Sequence, residues 1–149
     1  MRQLLIILFS LFLFPSLASA DEGLISVKSS HDVKTTADRL ESILKKKGMT
    51  VFGRVNHAKG AQKVGKKLRP TELVIFGNPK VGTPLMQCNQ SVGIDLPQKA
   101  LIWKDKMGQV WLSYNDPKYL RNRHNLNKCN TVITKIEKAL GNFAKAATK

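Results

Sequence analysis

The chain has 149 residues, carries 25 Lys and Arg against 10 Asp and Glu, and has a formal net charge of +15. This length suits one domain and excludes a TIM barrel of about 250 residues or a six-stranded dinucleotide-binding fold. With 42% hydrophobic residues, the chain has the apolar content of a folded domain, which excludes a disordered basic tail.

The N-terminal segment has the layout of a secretory signal peptide. Arg2 precedes an apolar run from Leu4 to Phe14, Pro15 ends that run, and small residues at Ala18–Ala20 resemble a cleavage site. A membrane anchor is the alternative, but the run is shorter than the roughly 20 apolar residues that span a bilayer. We therefore predict a signal peptide over residues 1–20, a domain over residues 21–149, and a periplasmic or secreted location after cleavage near Ala20.

The first elements of the domain alternate between strand and helix patterns. Leu24–Lys28 has the apolar alternation of a half-buried strand. Val33–Leu44 has helical spacing, with Asp32 as an N-cap and Gly48 just past its end. Met49–Val55 alternates again. This stretch therefore predicts a strand, a helix and a second strand.

The middle of the chain predicts one well-buried strand between two helices. Ala58–Leu68 is a weak, glycine-interrupted helix, and the continuous apolar run Leu73–Phe76 predicts a buried central strand. Asn78 can cap the next helix with Pro79 in its first turn, and Thr83–Cys88 has helical spacing. The predicted order so far is strand, helix, strand, helix, strand, helix.

The C-terminal part predicts a hairpin followed by two helices. In chain order these are two strands, the loop between them, a short helix, a longer helix and a frayed tail: Ala100–Lys104 and Val110–Tyr114, Asp105–Gly108, Asp116–His124, Cys129–Phe143 and Ala144–Lys149. Strands that pair as neighbours, with helices between them, predict an α+β fold. We expect a single compact domain with a mainly antiparallel sheet and helices packed on one face.

A series of segments in a fixed order resembles the DUF302 family, a domain of unknown function found in bacteria and archaea. The segments are Val55–Ala58, Phe76–Pro79, Gly82–Gln87, Gly93–Pro97, Leu101–Trp103, Val110–Pro117 and Leu120–His124. The resemblance implies a compact α+β domain that is often a homodimer, without implying an activity. The family commonly has Asp-His where this chain has Asn56-His57, and that departure weakens an acid–base or metal role for the pair.

The two cysteines, Cys88 and Cys129, are candidates for a disulfide because export permits one. They also resemble the cysteines of exported family members. Both fall on predicted inward faces of helices, and a bridge between them would stabilise the fold by roughly 4 kcal/mol in the chain-entropy model. Two buried thiols that pack as small hydrophobes are the alternative.

The most basic stretch contains Lys59, Lys63, Lys66, Lys67 and Arg69 without an acidic residue among them. Helical spacing would place the four lysines on one face, where they could bind anionic lipid, cell-wall polymer or an acidic small molecule. A solvated face explains the pattern equally well. The stretch nearly matches a phosphate-binding loop, but Lys67 replaces the Ser or Thr that holds Mg²⁺. We expect no cofactor, and export makes nucleic acid an unexpected partner.

Polar and aromatic residues near the end of the predicted sheet are ligand-binding candidates: His57, Tyr114, Asn115, Arg121 and His124. His57 and His124 could also meet Asp95 or Asp116 in an acid–base or metal site. No HExxH or paired CxxC spacing supports that site, so we assign no metal ligand and no catalytic residue.

These patterns favour a non-enzymatic, exported binding module for an anionic ligand or an envelope surface. A homodimer that stabilises an envelope assembly belongs to the same class. The alternative is a small hydrolase or metal-dependent enzyme that uses His57, His124 and nearby acids. The absence of a complete nucleophile–base motif or metal signature places binding ahead of catalysis.

Overall fold

The computed structural model describes residues 23–149, so the predicted signal peptide lies outside the described residues. The strands are β1 Leu24–Ser29, β2 Thr50–Asn56, β3 Thr71–Gly77, β4 Gln98–Lys104 and β5 Val110–Asn115. The helices are α1 Val33–Lys46, α2 His57–Lys63, α3 Pro79–Cys88, α4 Pro117–Arg123 and α5 Asn130–Thr148. Short 3₁₀ helices follow α3 and α4, η1 at Gln90–Ile94 and η2 at Asn127–Cys129. Within residues 23–149, no helix is both long and apolar enough to cross a membrane.

The strands form one antiparallel sheet in the order β1-β5-β4-β3-β2. Strands β2 to β5 follow one another as neighbours, while β1 pairs with β5 and closes the opposite edge. This arrangement confirms the predicted α+β fold with a mainly antiparallel sheet. It also brings the start of β2, the end of β3 and the start of β4 together at one end of the sheet.

Helices α1 and α5 pack on one face of the sheet and enclose the core. The buried side chains of α1 are Val33, Ala37, Leu40 and Leu44, and those of α5 include Ile133, Ile136, Leu140 and Ala144. They meet the buried side chains of β3, β4 and β5, which are Val74, Phe76, Ala100, Ile102, Val110, Leu112 and Tyr114. Burial of these apolar surfaces is the main contribution to the stability of the fold.

The expectation that β3 is a fully buried strand is wrong. Val74 and Phe76 are buried, whereas Leu73 and Ile75 are only half-buried. Side chains of a strand alternate between the two faces of the sheet, and the helices cover only one of them. The continuous apolar run therefore reports an apolar outer face and not a strand enclosed on both sides.

The caps of α1 agree with the sequence, but α2 is shorter than expected. The Asp32 side chain accepts a hydrogen bond from the backbone N–H of Thr35 at 2.7 Å, and Gly48 has a positive φ of 71° after the helix. Helix α2 ends at Lys63, and Gly65 turns the chain with a φ of 70°. Glycine tolerates this left-handed conformation, so the helix stops well before Leu68.

The C-terminal tail does not fray as predicted, because it docks on the start of the domain. Arg39 donates hydrogen bonds to the backbone oxygens of Ala146 at 3.0 Å and Ala147 at 3.1 Å. The backbone N–H of Ser30 donates to the oxygen of Thr148 at 2.9 Å. These bonds satisfy carbonyls that a helix end otherwise leaves unpaired, and they hold α5 in place through Thr148.

Candidate functional site

The polar residues that the sequence selected as ligand-binding candidates are dispersed over the fold. His57 is exposed at the start of α2, and Asn115 is half-buried at the end of β5. Tyr114 is buried against the core, and burial raises the pKa of its hydroxyl. Arg121 donates to the Asn130 side chain at 3.2 Å. None of these residues lines either of the two cavities described below.

His124 and Asp95 are brought together, but His57 is not among their hydrogen-bond partners. His124 is 6% exposed, and its Nε2 lies 2.6 Å from Asp95 Oδ2. Its Nδ1 lies 3.0 Å from the hydroxyl of Ser91, a residue that no sequence spacing singled out. A carboxylate accepts from an imidazole N–H, so Nε2 donates to Asp95, whereas the Ser91 hydroxyl is able either to donate to Nδ1 or to accept from it. The bonds tie η1 to the end of α4.

Asp116, the other acid of the predicted acid–base site, makes its hydrogen bond elsewhere in the fold. Asp116 caps α4, and its side chain accepts from the backbone N–H of Lys118 at 2.8 Å. Within residues 23–149, no three His, Cys, Asp or Glu side chains are grouped so that they could hold a metal ion. The structure therefore does not assemble His57, His124, Asp95 and Asp116 into one site.

Cys88 and Cys129 form a disulfide. The bridge joins the C-terminal end of α3 to the residue that immediately precedes α5. Cys88 is exposed, which corrects the expectation that both cysteines face inward. The disulfide therefore clamps two helices together, with Cys129 packed against the apolar core and Cys88 at the surface.

The predicted single helical face of lysines is wrong, because α2 ends before two of them. Lys59 and Lys63 lie in α2, whereas Lys66 and Lys67 follow it. Lys59, Lys66 and Lys67 nevertheless line one cavity of about 780 Å³, which we call the basic cavity. Lys63 does not line it, and Arg69 donates instead to a backbone oxygen at the end of β4 at 3.0 Å.

Arg54, one of the cationic side chains in the wall of the basic cavity, is already neutralised by acidic neighbours. Arg54 lies 2.6 Å from Glu72, 2.6 Å from Asp38 and 3.2 Å from Glu41. The Glu72 carboxylate, followed by the other two acids, raises the pKa of Arg54 further above its ordinary value, against the effect of burial. The pKa values of Asp38 and Glu41 are lowered by their lysine neighbours and by Arg54. This cluster joins α1 to β2 and β3.

A second cavity, of about 510 Å³, lies between α3, α5 and the neighbouring ends of the sheet. We call it the apolar cavity because aliphatic and aromatic side chains dominate its walls. Those side chains are Met49, Phe52, Phe76, Pro79, Val81, Leu85, Met86, Leu96, Pro97, Ile136, Ala139, Leu140 and Phe143. Phe52, Val81 and Met86 are also exposed to solvent, so the apolar surface continues to the cavity mouth.

One polar group in the wall of the apolar cavity has no hydrogen-bond partner. Gln98 lines the cavity, is 8% exposed, and its Nε2 finds no acceptor among the described residues. The Asn78 side chain, by contrast, donates to the oxygen of Gly48 at 3.2 Å and accepts from the N–H of Lys80 at 2.9 Å. Lys135 is the charged residue among the described lining residues, and its side chain is exposed.

Three of the segments on which the family resemblance rests contribute to this wall. Lining residues come from Phe76–Pro79, Gly82–Gln87 and Gly93–Pro97. The sequence analysis assigned Asn78 to a helix cap and Pro79 to the first helical turn, and it missed the cavity. Its walls come from separate parts of the chain, so no local spacing could have indicated it.

The family model described as "Domain of unknown function DUF302" matches residues 25–143. The chain is 48% identical over 123 residues to a fluoride-specific ion channel of Brucella suis, covering 82% of this chain and 48% of that protein. The match to a fluoride-specific ion channel of Brucella abortus has the same identity and covers 46% of that protein. The chain thus spans about half the length of these curated relatives.

Among solved structures, the fold is similar to that of an uncharacterized conserved DUF302 protein from Bacillus stearothermophilus. The TM-score is 0.76 at 23% sequence identity, and the match covers 85% of this chain and 98% of that chain. At this identity, the comparison supports the fold and does not extend to a function.

Proposed function

Because the chain belongs to the DUF302 family, whose description assigns no function, we propose its function from its own site. The proposed function is that of a non-enzymatic binding module that takes a small molecule with an apolar body into the apolar cavity. One observation carries this proposal. A cavity of about 510 Å³ has predominantly apolar walls, and its apolar surface continues to solvent-exposed side chains at its mouth.

The size and lining of the apolar cavity support a ligand of low molecular mass. Small-molecule pockets typically measure about 300–1,000 Å³ and combine apolar walls with a few polar groups that fix orientation. The cavity has that composition, with Gln98 and Lys135 among its polar groups. Exposed Phe52, Val81 and Met86 extend the apolar surface at its mouth, and such patches on soluble domains commonly mark binding sites.

Covalent and polar links fix the elements that form the walls. The Cys88–Cys129 disulfide clamps α3 to the start of α5, and both helices line the cavity. His124 anchors η1 through Ser91 and Asp95, and Gly93 between them lines the cavity. A cavity held in this way loses little conformational freedom when a ligand binds, which favours affinity.

The charge of the chain suits an anionic ligand or an anionic surface at the cell envelope. A net charge of +15 accelerates association with polyanions and acidic molecules. In this proposal the domain acts outside the cytoplasm after signal-peptide cleavage, as a homodimer of the kind that the family resemblance implies. Fluoride transport is not part of the proposal, because that name belongs to proteins about twice as long as this chain.

Binding of the neutral dye Nile red to purified residues 21–149 tests the proposal. We expect the dye fluorescence to rise and saturate with the wild-type domain. The affinity for the dye should be at least about tenfold lower in Ala139→Trp, because the indole fills the cavity. Ala146→Trp is the matched control, since Ala146 is exposed on the same helix and does not line the cavity.

Thr83→Trp provides a second obstruction that spares the core, because Thr83 lines the cavity but is exposed. Absence of saturable dye binding to the wild-type domain would contradict the proposal. Equal binding to the wild type and to both obstructed variants would do so as well.

A second candidate function, a small hydrolase, is favoured by the chain of hydrogen bonds from Ser91 through His124 to Asp95. Its connectivity is that of a nucleophile, a base and an orienting acid. The test is hydrolysis of a p-nitrophenyl ester, with Ser91→Ala expected to abolish turnover. Ester hydrolysis that persists in Ser91→Ala would contradict the hydrolase, and so would the absence of hydrolysis by the wild type. In either case the network of Ser91, His124 and Asp95 keeps only its role in anchoring the cavity wall.

A further inference from the structure

We infer that the domain docks on an anionic lipid bilayer through the end of the sheet opposite the apolar cavity. The docking surface comprises α2 with the loop that follows it, residues 57–70, and the tip of the β4–β5 hairpin, residues 104–109; we call it the basic end. The inference rests on the proposed function only in locating the anionic envelope surface named there, and it does not depend on the apolar cavity.

The two segments of the basic end are bonded to each other at one end of the sheet. The Arg69 guanidinium donates to the backbone oxygen of Lys104 at 3.0 Å, and the N–H of Lys104 donates to the oxygen of Pro70 at 3.0 Å. In the sheet register, Thr71 at the start of β3 pairs with Trp103 near the end of β4. The apolar cavity is lined instead by the last residue of β3 and the first residue of β4, about 20 Å away along a seven-residue strand. Docking through the basic end would therefore leave the apolar cavity at the end of the sheet distant from the bilayer.

The basic end carries exposed cations that no acid of the fold neutralises. They include Lys59, Lys63, Lys66, Lys67, Arg69 and Lys106. Within residues 23–149, none of these side chains forms an ion pair. Each basic side chain close to an anionic leaflet raises the affinity for that leaflet by about fivefold. The cations of the basic end therefore suit the phosphates of anionic lipid head groups.

Apolar side chains are exposed among these cations. Met107, in the turn of the hairpin, is 84% exposed, and Val64, which follows α2 directly, is 71% exposed. Leu68 is exposed between Lys67 and Arg69. Single exposed apolar residues are common on protein surfaces, but apolar side chains flanked by lysines are typical of surfaces that bind at the bilayer interface. A soluble acidic polymer would attract the lysines and offer Met107 and Val64 no apolar contact, so the pattern favours a bilayer.

Vesicle sedimentation of the purified domain, residues 21–149, tests this inference. We expect binding to vesicles of phosphatidylglycerol and at least about tenfold weaker binding to vesicles of phosphatidylcholine, because the neutral head group does not attract the lysines. High salt should weaken the binding to phosphatidylglycerol, because it screens exposed charges. Equal binding to the two lipids at low salt would overturn the inference.

A matched pair of double variants locates the electrostatic contact. Lys66→Gln, Lys67→Gln should lower the affinity for phosphatidylglycerol vesicles by about tenfold or more. The control is Lys80→Gln, Lys138→Gln, which removes the same charge from exposed positions on α3 and α5 and should lower the affinity by no more than about twofold. An equal loss in the two double variants would show that net charge, and not the basic end, holds the domain on the vesicle.

A second set of variants locates the apolar contact. Val64→Ser, Met107→Ser should lower the affinity for phosphatidylglycerol vesicles by about tenfold at low and at high salt, because burial of apolar surface is not screened. Ile94→Ser is the control, since Ile94 is 74% exposed in η1, which precedes the start of β4 at the cavity end of the sheet. A larger loss in Ile94→Ser would place the bilayer at the cavity end and overturn the inference.

The remaining outcomes separate a bilayer from a polymer and this inference from the proposed function. Unchanged vesicle affinity in Val64→Ser, Met107→Ser would overturn the bilayer, and binding of poly-L-glutamate that weakens in Lys66→Gln, Lys67→Gln would assign the basic end to a soluble acidic polymer. Nile red binding, measured without vesicles, tests the apolar cavity separately. Dye binding without vesicle binding would overturn this inference alone, and vesicle binding without dye binding would overturn the proposed role of the cavity alone.

Discussion

The two cavities of this domain differ in how their polar groups are satisfied. In the basic cavity, Arg54 is bonded to three acids, and the neighbouring lysines are exposed to water. In the apolar cavity, Gln98 is buried and lacks a partner among the described residues. A high local charge therefore marks a region that is already paired or solvated, whereas the apolar cavity leaves aliphatic and aromatic side chains uncovered at its mouth.

The largest expected effect distinguishes a structural role of the basic cavity from a binding role. Arg54→Met leaves Glu72, which is 7% exposed, without its cationic partner. An unpaired buried charge costs about 3–5 kcal/mol, so we expect a loss of that size in the free energy of unfolding, measured by urea denaturation. Arg54→Lys is the control, because it keeps the charge and should lose less.

A loss below about 1 kcal/mol in Arg54→Met would contradict the assignment of the acid cluster to stability. It would make Arg54 a candidate for binding an external anion.

The disulfide should matter more to the apolar cavity than to the basic cavity. The double variant Cys88→Ser, Cys129→Ser should lose about 2–4 kcal/mol of stability, because the unfolded chain is no longer cross-linked. Since the bridge clamps α3 to the start of α5, we also expect weaker Nile red binding under conditions in which the variant remains folded. Unchanged dye affinity would show that the clamp does not shape the cavity.

Much of the fold could be predicted from the sequence because its signals are local. The Asp32 cap, the glycine after α1 and the two alternating runs of the hairpin each act through neighbouring residues. The predictions that were wrong concern features that depend on contacts between residues far apart in the sequence. Arg39 holds the C-terminal tail that was expected to fray, and the bare outer face of the sheet leaves Leu73 half-buried.

The candidate site was less predictable for the same reason. The sequence pointed to a possible contact between His124 and Asp95, but not to Ser91, because the network joins two segments about 30 residues apart. Gln98 offered no signal at all, since a lone Gln at the start of a strand is unremarkable until its burial is known. The lysine run, by contrast, was conspicuous in the sequence and proved to be divided between α2 and the following loop.

A moderate effect should separate function from stability at Gln98. Gln98→Met removes a buried donor without a partner, so the ligand-free domain should gain about 1–2 kcal/mol in its free energy of unfolding. Affinity for neutral Nile red should change little, because binding of the dye requires no donor from Gln98. A loss of stability in the ligand-free variant would mean that the amide contributes to the fold, and the contrast between the two cavities would fail.

The smallest expected effect concerns the lysines of the basic cavity. The combined variant Lys59→Gln, Lys66→Gln, Lys67→Gln should change stability by no more than about 0.5 kcal/mol, because these side chains are exposed. Its affinity for Nile red should equal that of the wild type, whereas its attraction to anionic vesicles at low salt should weaken. A lower affinity of this variant for Nile red would place the dye in the basic cavity.

Titration of Nile red into the wild-type domain and Ala139→Trp, at several temperatures, tests the apolar cavity most directly. We predict one binding site with a negative heat-capacity change in the wild type, because apolar surface is buried, and no measurable binding in the obstructed variant. The absence of binding to the wild type, or the same affinity and heat capacity in both proteins, would contradict the account.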